Sequence, residues 1–301
     1  MSSSPQKKAD MQSSVGDSLR VADITEFARM MKKLVNNKDF SDIKFVIGPN
    51  KKHIFAHRCI LSARCAVFKA MFADKPEKDV PLVLSDMSSD IFLAMLEFIY
   101  TNCVTLSLNT ATDVLATSLE YGLDELRDLC VDFLKENISV SNACDIMQAA
   151  VTYNQNDLKE QAMTFVEENT AEILKTKSFL EISEDTLVSI VRSSRLTMDE
   201  IDLYKAVKEW AKFSSAVNGK QPHEVARDAV KHLRLPLVSP DELKKLEEEN
   251  KKDSFIPVAS FSYAWKLHAL KEGDKDDILS TCRHGTTTRE HHKYLSHSKS
   301  K

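Results

Sequence analysis

Glycine, net charge and long apolar runs are all scarce in this sequence. Among 301 residues there are only six glycines, and 41 basic residues nearly balance 45 acidic ones, which gives a formal net charge of -4 at pH 7. Such a balance provides no overall cationic field for nucleic-acid phosphates or anionic lipids. No uninterrupted apolar run approaches the roughly 18 residues that a membrane-spanning helix needs. We therefore expect neither a nucleic-acid partner nor a membrane partner.

Paired cysteine motifs and catalytic motifs are also missing. The six cysteines are scattered without a CxxC pair, which is typical of reduced thiols in a cytoplasmic or nuclear protein. The sequence contains no nucleophile elbow, HExxH motif, P-loop or dinucleotide fingerprint. Cys282, His284, His291, His292 and His297 are irregularly spaced, unlike the ligands of a structural zinc site. We therefore expect no enzyme activity, no cofactor and no bound metal.

The apolar residues between Phe40 and Phe72 change their spacing along the chain. Ile43, Phe45 and Ile47 alternate with other residues, which predicts a strand with one buried face. A Gly-Pro-Asn turn and a second short strand follow, and helical spacing begins after them. The sequence therefore predicts a small sheet covered by helices. The further predicted elements are strands at 53–55 and 80–84 and helices at 90–100, 110–121 and 124–137.

An amphipathic helix is predicted ahead of this sheet. Its apolar stripe must be buried somewhere, since the opposite side is charged. The periodicity leaves two interpretations open: the stripe packs on its own domain, or it packs partly on a second copy of the chain. The stripe includes Val21, Ile24, Phe27, Ala28 and Met31.

The second half of the chain predicts consecutive helices joined by short loops. Ser141 and Asp157 are suitable starts for two of them, and Asp199 is a suitable N-cap for a longer one. Trp210 lies on the apolar side of that longer helix, so we interpret it as a core residue at a helix crossing.

Five stretches resemble known families. FSDIKF at 40–45, FAHRCILSARCAVFKAMF at 55–72 and SLEYGLDELRDLC at 118–130 resemble the BTB (POZ) domain, a protein-interaction domain that commonly dimerises. NACDIMQAAVTYNQNDLKEQAMTFVEEN at 142–169 and MDEIDLYKAVKEWAKF at 198–213 resemble the BACK domain, an all-α module that follows BTB domains.

The resemblance implies a domain order. An α+β BTB domain, with a small mixed sheet covered by helices, is expected over 17–137, and an all-α BACK domain over 138–270. The polar, Ser-rich leader at 1–16 is expected to be disordered. The charged and polar segment at 271–301 is interpreted as a solvated tail or a short docking segment.

The resemblance also implies a dimer interface. The corresponding first helix packs on a second copy in BTB dimers, which favours the second interpretation of the apolar stripe. Asp42 and the His57–Arg58 pair stand where the family carries an acidic residue and a basic pair. Asp42 and Arg58 could form a bidentate ion pair near the interface, or one that only orients the hairpin. The implied interface residues are Val21, Ile24, Phe27, Ala28, Met31, Asp42 and Arg58.

A cullin-3 contact is the second site that the resemblance implies. Many BTB adaptors of the cullin-3 ubiquitin ligase place a hydrophobic residue, any residue and then Glu after the helix that ends near Phe72. Here Lys75-Pro76-Glu77 is the nearest match. Lys75 suits an apolar pocket poorly, because its ammonium group would have to be desolvated. The candidate cullin contacts are therefore Phe72, Lys75 and Glu77, with weakened affinity expected.

The expected function follows from these features. We expect a non-enzymatic interaction scaffold that pairs with itself or with another BTB chain. The alternative is a substrate adaptor of a cullin-3 ligase. Family adaptors that carry a Kelch propeller need Gly-rich repeats of about fifty residues, and six glycines do not supply them.

Overall fold

The computed structural model describes residues 23–74, 80–271 and 277–295. Its internal contacts divide the chain into two compact units. The first comprises 1–105 with 120–126, and the second comprises 106–119 with 127–301. This division cuts through the two helices that the sequence analysis assigns to the end of the BTB domain, so the domain boundary at 137 stays a prediction.

A mixed sheet forms the base of the first unit. In the described residues it has three strands in the order β2-β1-β3, with β2 antiparallel and β3 parallel to β1. The predicted alternation is confirmed, because Ile43, Phe45 and Ile47 are all buried. Gly48 makes the hairpin turn in the left-handed region at φ +67, which favours glycine. The strands are β1 (Ile43–Ile47), β2 (Lys52–Ala56) and β3 (Leu82–Leu84).

Helices cover this sheet and build an aromatic core on it. The Phe45 ring of β1 lies 5.8 Å from the Phe68 ring and 4.8 Å from the Phe92 ring, measured between centroids. Ser88 caps the helix that carries Phe92, and Asn102 ends that helix in the left-handed region at φ 60, which Asn tolerates. The helices of this unit are α1 (Ile24–Lys32), α2 (Arg58–Arg64), α3 (Ala66–Asp74) and α4 (Ser89–Thr101). The two helices shared between the units follow, α5 (Ala111–Glu120) and α6 (Asp124–Glu136).

The rest of the second unit is helical. Asp199 caps its longest helix, as predicted, because the Asp199 side chain accepts a hydrogen bond from the Ile201 backbone N–H at 3.3 Å. Trp210 is buried, and its indole N–H donates to the Ile182 carbonyl at 3.0 Å, which confirms its place in the core. The helices are α7 (Ala143–Thr152), α8 (Asn156–Glu168), α9 (Thr170–Ile173), α10 (Lys177–Glu181), α11 (Glu184–Val191), α12 (Glu200–Asn218), α13 (Pro222–Val225), α14 (Pro240–Asp253) and α15 (Val258–Leu270), with 3-10 turns at Ala229–His232, Leu235–Leu237, Ile278–Ser280 and Glu290–Tyr294.

Residues 277–295, called the strap below, are not a solvated tail, which was one of the two interpretations of the segment at 271–301. They pack on the helices of the second unit, and Ser280, Arg283, His292 and Leu295 are buried. Arg283 is paired with the buried carboxylate of Glu200, and His292 Nε2 lies 2.9 Å from the Leu237 carbonyl, so burial leaves both side chains with partners. The polar composition of residues 277–295 therefore gave no indication that they pack against the helices.

Candidate interaction surfaces

Helix α1 presents an exposed apolar face. Its start is fixed by Asp23, whose Oδ1 accepts from the Thr25 backbone N–H at 2.9 Å. Nearer its other end, Lys32 Nζ lies 2.6 Å from Glu97 Oε1 on α4. One side of the helix is therefore tied to its own unit. On the other side the exposed fractions are 68% for Ile24, 63% for Phe27 and 47% for Met30.

The predicted stripe is thus divided between two environments. Ala28 and Met31 are half-buried within the unit, whereas Ile24 and Phe27 face outward. Val21 lies outside the described residues. Met30 joins the outward face although it is off the predicted stripe. Contiguous exposed apolar side chains on a soluble protein commonly mark an interaction site.

Phe40 is a further exposed apolar residue, away from the α1 face. The sequence analysis did not predict its exposure. Its side chain is 94% exposed and its backbone is left-handed at φ 59, which is uncommon for a bulky residue. Residues on both sides of Phe40 are held by hydrogen bonds. The Asp39 carbonyl lies 3.1 Å from His57 Nε2, and the Asp42 side chain accepts from the backbone N–H at the start of α2. In the sequence, the only indication that Phe40 is notable was its position as the first residue of the FSDIKF stretch.

Asp42 and Arg58 meet in a different way from the proposed bidentate pair. Asp42 Oδ1 accepts a hydrogen bond from the Arg58 backbone N–H at 2.7 Å. The Arg58 guanidinium instead lies over the Phe72 ring, 4.9 Å from its centroid. Since the His57 side chain makes no capping bond, Asp42 supplies the acceptor for the N-terminus of α2. The observed contact therefore orients the hairpin against α2.

His57 is held in place by two hydrogen bonds. Its Nδ1 lies 2.9 Å from the Tyr100 hydroxyl, and its Nε2 lies 3.1 Å from the Asp39 carbonyl. Burial raises the pKa of Tyr100 to about 12, although the hydrogen bond from the His57 backbone N–H works in the opposite direction. Both nitrogens of the buried imidazole are occupied, as expected for a core histidine.

The candidate cullin contacts are only partly visible. Phe72 is 8% exposed and its ring stacks on Phe68 at a centroid distance of 5.9 Å, so it belongs to the core of the first unit. Lys75 and Glu77 lie outside the described residues. In the described residues the structure thus supplies no exposed aromatic contact at this position.

Two buried cysteines have thiols of low reactivity. Burial raises the pKa of the Cys130 and Cys144 thiols to about 12, which makes them poor nucleophiles. Within residues 23–74, 80–271 and 277–295, no three metal-ligating side chains are grouped to hold an ion. No helix in the described parts of the chain combines the length and apolar character needed to cross a bilayer.

A helix-covered mixed sheet followed by an all-helical module defines the class of this protein. The family model of the BTB/POZ domain matches residues 31–138, and that of the BACK domain (BTB And C-terminal Kelch) matches residues 143–248. The chain belongs to the BTB–BACK family. Proteins of this family are typically interaction scaffolds or cullin-3 adaptors, and BTB domains generally self-associate.

Particular relatives extend this result. BTB/POZ domain-containing protein 19 of Homo sapiens is 46% identical over 273 residues, which are 89% of this chain and 94% of that protein. BTB/POZ domain-containing protein 9 of Mus musculus is 32% identical over 218 residues, which are 70% of this chain and 34% of that protein. The solved BTB domain of human gigaxonin is similar at a TM-score of 0.32 and 23% identity, covering 39% of this chain and 98% of that one.

Proposed function

We propose that this chain is a non-enzymatic interaction scaffold that dimerises through the outward face of α1. The observation that carries the proposal is the exposure of Ile24, Phe27 and Met30 side by side on one helix. Pairing two such faces would remove apolar surface from water, at roughly 25 cal/mol for each Å² buried. The same face would serve for self-pairing or for pairing with another BTB chain.

The oligomeric state tests this proposal directly. Multi-angle light scattering on the purified chain over a concentration series should give twice the 34.0 kDa mass of one chain. A monomer mass at all concentrations would contradict self-pairing. Mixing with a differently tagged BTB chain, followed by co-purification, would then test the heterodimer.

The absence of catalysis is part of the same proposal. His57 has both ring nitrogens engaged in hydrogen bonds, and two buried thiols have strongly raised pKa values. These groups are poor bases or nucleophiles in their observed positions. Metal analysis after exhaustive dialysis should find no stoichiometric ion, and a retained ion would reopen the question of a metal enzyme.

The alternative function is a substrate adaptor of a cullin-3 ligase, because many members of the family act in that way. The core position of Phe72 and the replacement of an apolar residue by Lys75 both disfavour it. A pulldown with purified cullin-3 should show weak or no binding, and Lys75→Met should increase it. Tight binding by the unchanged chain would support the adaptor instead.

A cytoplasmic or nuclear location completes the proposal. All six cysteines lie within the described residues and are free thiols, as is usual in a reducing compartment. The nearly balanced charge supports neither a nucleic-acid partner nor a membrane partner. Imaging of the tagged chain in cells tests the location, and enrichment in a secretory compartment would contradict it.

A further inference from the structure

The strap pairs with the helical module through its backbone. The His284 N–H donates to the Ser194 carbonyl at 3.0 Å, and the Gly285 N–H donates to the Leu196 carbonyl at 2.9 Å. Both donors belong to a turn over 283–286, which the Thr286 N–H closes by donating to the Arg283 carbonyl at 3.1 Å. Gly285 lies so close that a Cβ on it would be 2.0 Å from the Met198 backbone nitrogen. The site therefore requires glycine at this position.

Arg283 provides the side-chain anchor of the strap. Its Nε lies 2.7 Å from Glu200 Oε2, and both side chains are fully buried. Nη1 donates to the Val191 carbonyl at 2.7 Å, and Nη2 donates to the His232 carbonyl at 2.9 Å. A guanidinium satisfied by one carboxylate and several carbonyls is specific for arginine, since lysine cannot reproduce the fork geometry.

The module also contributes a hydrogen bond of its own to the Glu200 carboxylate. Glu200 is the first residue of α12, and its Oε1 accepts from the Arg234 backbone N–H at 2.6 Å. Asp199, which caps the same helix, binds Arg289 of the strap at 3.0 Å. Two adjacent carboxylates at the start of one helix therefore receive two arginines that lie six positions apart.

The main core of the module contains no strap residue among those described. Its buried apolar cluster runs from Ala143 to Ala264. Leu295 instead belongs to a separate small cluster with Leu237 and Leu267. The strap therefore contributes no residue to the main cluster, as expected for a docked segment.

The C-terminal half of the strap also packs loosely. A cavity of about 340 Å³ lies between it and α15. The Nε2 atoms of His268 and His291 are buried beside this cavity and have no hydrogen-bond partner in the described residues. Buried polar groups without a partner are uncommon in folded proteins, so this contact is less well satisfied than the one around Arg283.

We infer that the helical module carries a binding site for a peptide segment that forms a turn and has arginine two residues before glycine, and that the strap fills this site in cis. Glu200 selects the arginine, the backbone of Ser194 and Leu196 pairs with the segment, and Met198 excludes any side chain at the glycine. A segment of this chemistry from another protein would bind when the strap is displaced. This inference does not depend on dimerisation through α1.

The test cuts the chain ahead of the strap and then lets an added peptide compete with the strap for the site. A protease recognition sequence replaces residues 272–276 in the full chain, the purified protein is cut there, and a fluorescent peptide of residues 277–295 is added. Saturable binding by fluorescence anisotropy, with release of the original strap, is expected. For a peptide with Arg283→Ala the dissociation constant should rise by about 100-fold or more, because this peptide leaves the buried Glu200 without its partner.

Changes in the peptide leave the receptor untouched, so a loss of binding cannot come from misfolding. Gly285→Ala in the peptide should also abolish binding, and Lys293→Ala, at an exposed position, should leave it unchanged. Equal binding by the Arg283→Ala peptide would overturn the inference. A cut chain that loses its cooperative unfolding transition would overturn it as well, since the strap would then be part of the fold rather than a ligand.

Discussion

Arg283 and Glu200 form a fully buried ion pair with Nε and Oε2 2.7 Å apart. The two residues are separated by 83 positions in the sequence. Desolvating two charges is costly, and the attraction between them offsets that cost only when the geometry is good and the remaining polar atoms are satisfied. Here the carbonyls of Val191 and His232 accept hydrogen bonds from the other N–H groups of Arg283. Loss of either charge would therefore leave the other buried and uncompensated.

Replacing Glu200 with Gln should therefore lower the free energy of unfolding by about 3 to 5 kcal/mol. Urea denaturation followed by circular dichroism measures this change. Asp202→Asn, two residues away on α12, is the matched control, because Asp202 pairs with Lys205 in an exposed bridge at 2.9 Å. That change should cost less than about 1 kcal/mol. Equal effects of the two substitutions would show that burial of the Glu200 pair is unimportant.

Replacing Phe27 with Asp should convert a dimer to monomers. The new carboxylate would have to lose its water in a paired α1 face, and loss of such a central aromatic residue typically costs about 2 kcal/mol or more of binding. Light scattering measures the mass. Val258→Asp, an exposed apolar residue at the start of α15, is the control and should leave the mass unchanged. An unaltered mass for the Phe27 variant would refute the interface.

Asp42→Ala should destabilise the first unit by about 1 kcal/mol, because the N-terminus of α2 loses the acceptor for the Arg58 N–H. Asp42→Asn keeps an oxygen acceptor and should cost less. Denaturation measures stability, and light scattering on the same samples measures the mass. Stability that falls while the mass is kept would identify a local cap, whereas dissociation with Asp42→Asn would support a role in the dimer interface.

Acid should weaken the strap contact through His291. Burial, followed by the neighbouring rings of His292 and His268 and then the charge of Arg289, lowers the pKa of His291 from its ordinary 6.5 to about 4. The unfolded chain therefore binds more protons between these values. The resulting stability is fully present above pH 6.5 and is lost as the pH falls towards 4.

Urea denaturation at several pH values between 4 and 7.5 tests this dependence. His291→Gln should flatten the decline in stability over that range, because the group that titrates is removed. His223→Gln, an exposed histidine in the same unit, should leave the decline as it is. A decline of unchanged steepness in the His291 variant would place its cause elsewhere.

Local patterns in the sequence were sufficient for much of the fold. The alternation of Ile43, Phe45 and Ile47 predicted the central strand, and Asn102 took the left-handed turn because it tolerates positive φ. These features depend on neighbours within a few residues. The division of the α1 stripe was not predictable, because the partial burial of Met31 and the exposure of Ile24 depend on where α4 passes.

The strap was not predictable for a related reason. Its placement depends on contacts between Arg283 and Glu200 and between Arg289 and Asp199, which lie 83 and 90 positions apart. A segment rich in His and Thr carries no apolar period, so its composition indicated a solvated segment. Phe40 was missed because a single exposed aromatic residue next to a strand looks like the beginning of that strand.

The separation between Glu200 and Arg283 has a consequence for synthesis. The ribosome makes the carboxylate 83 residues before the arginine. Because the apolar core of the helices is formed by residues up to Ala264, a nascent chain can assemble that core while its arginine receptor is still vacant. Translation itself thus creates an interval in which a chaperone or an early partner could engage the receptor before the chain closes it.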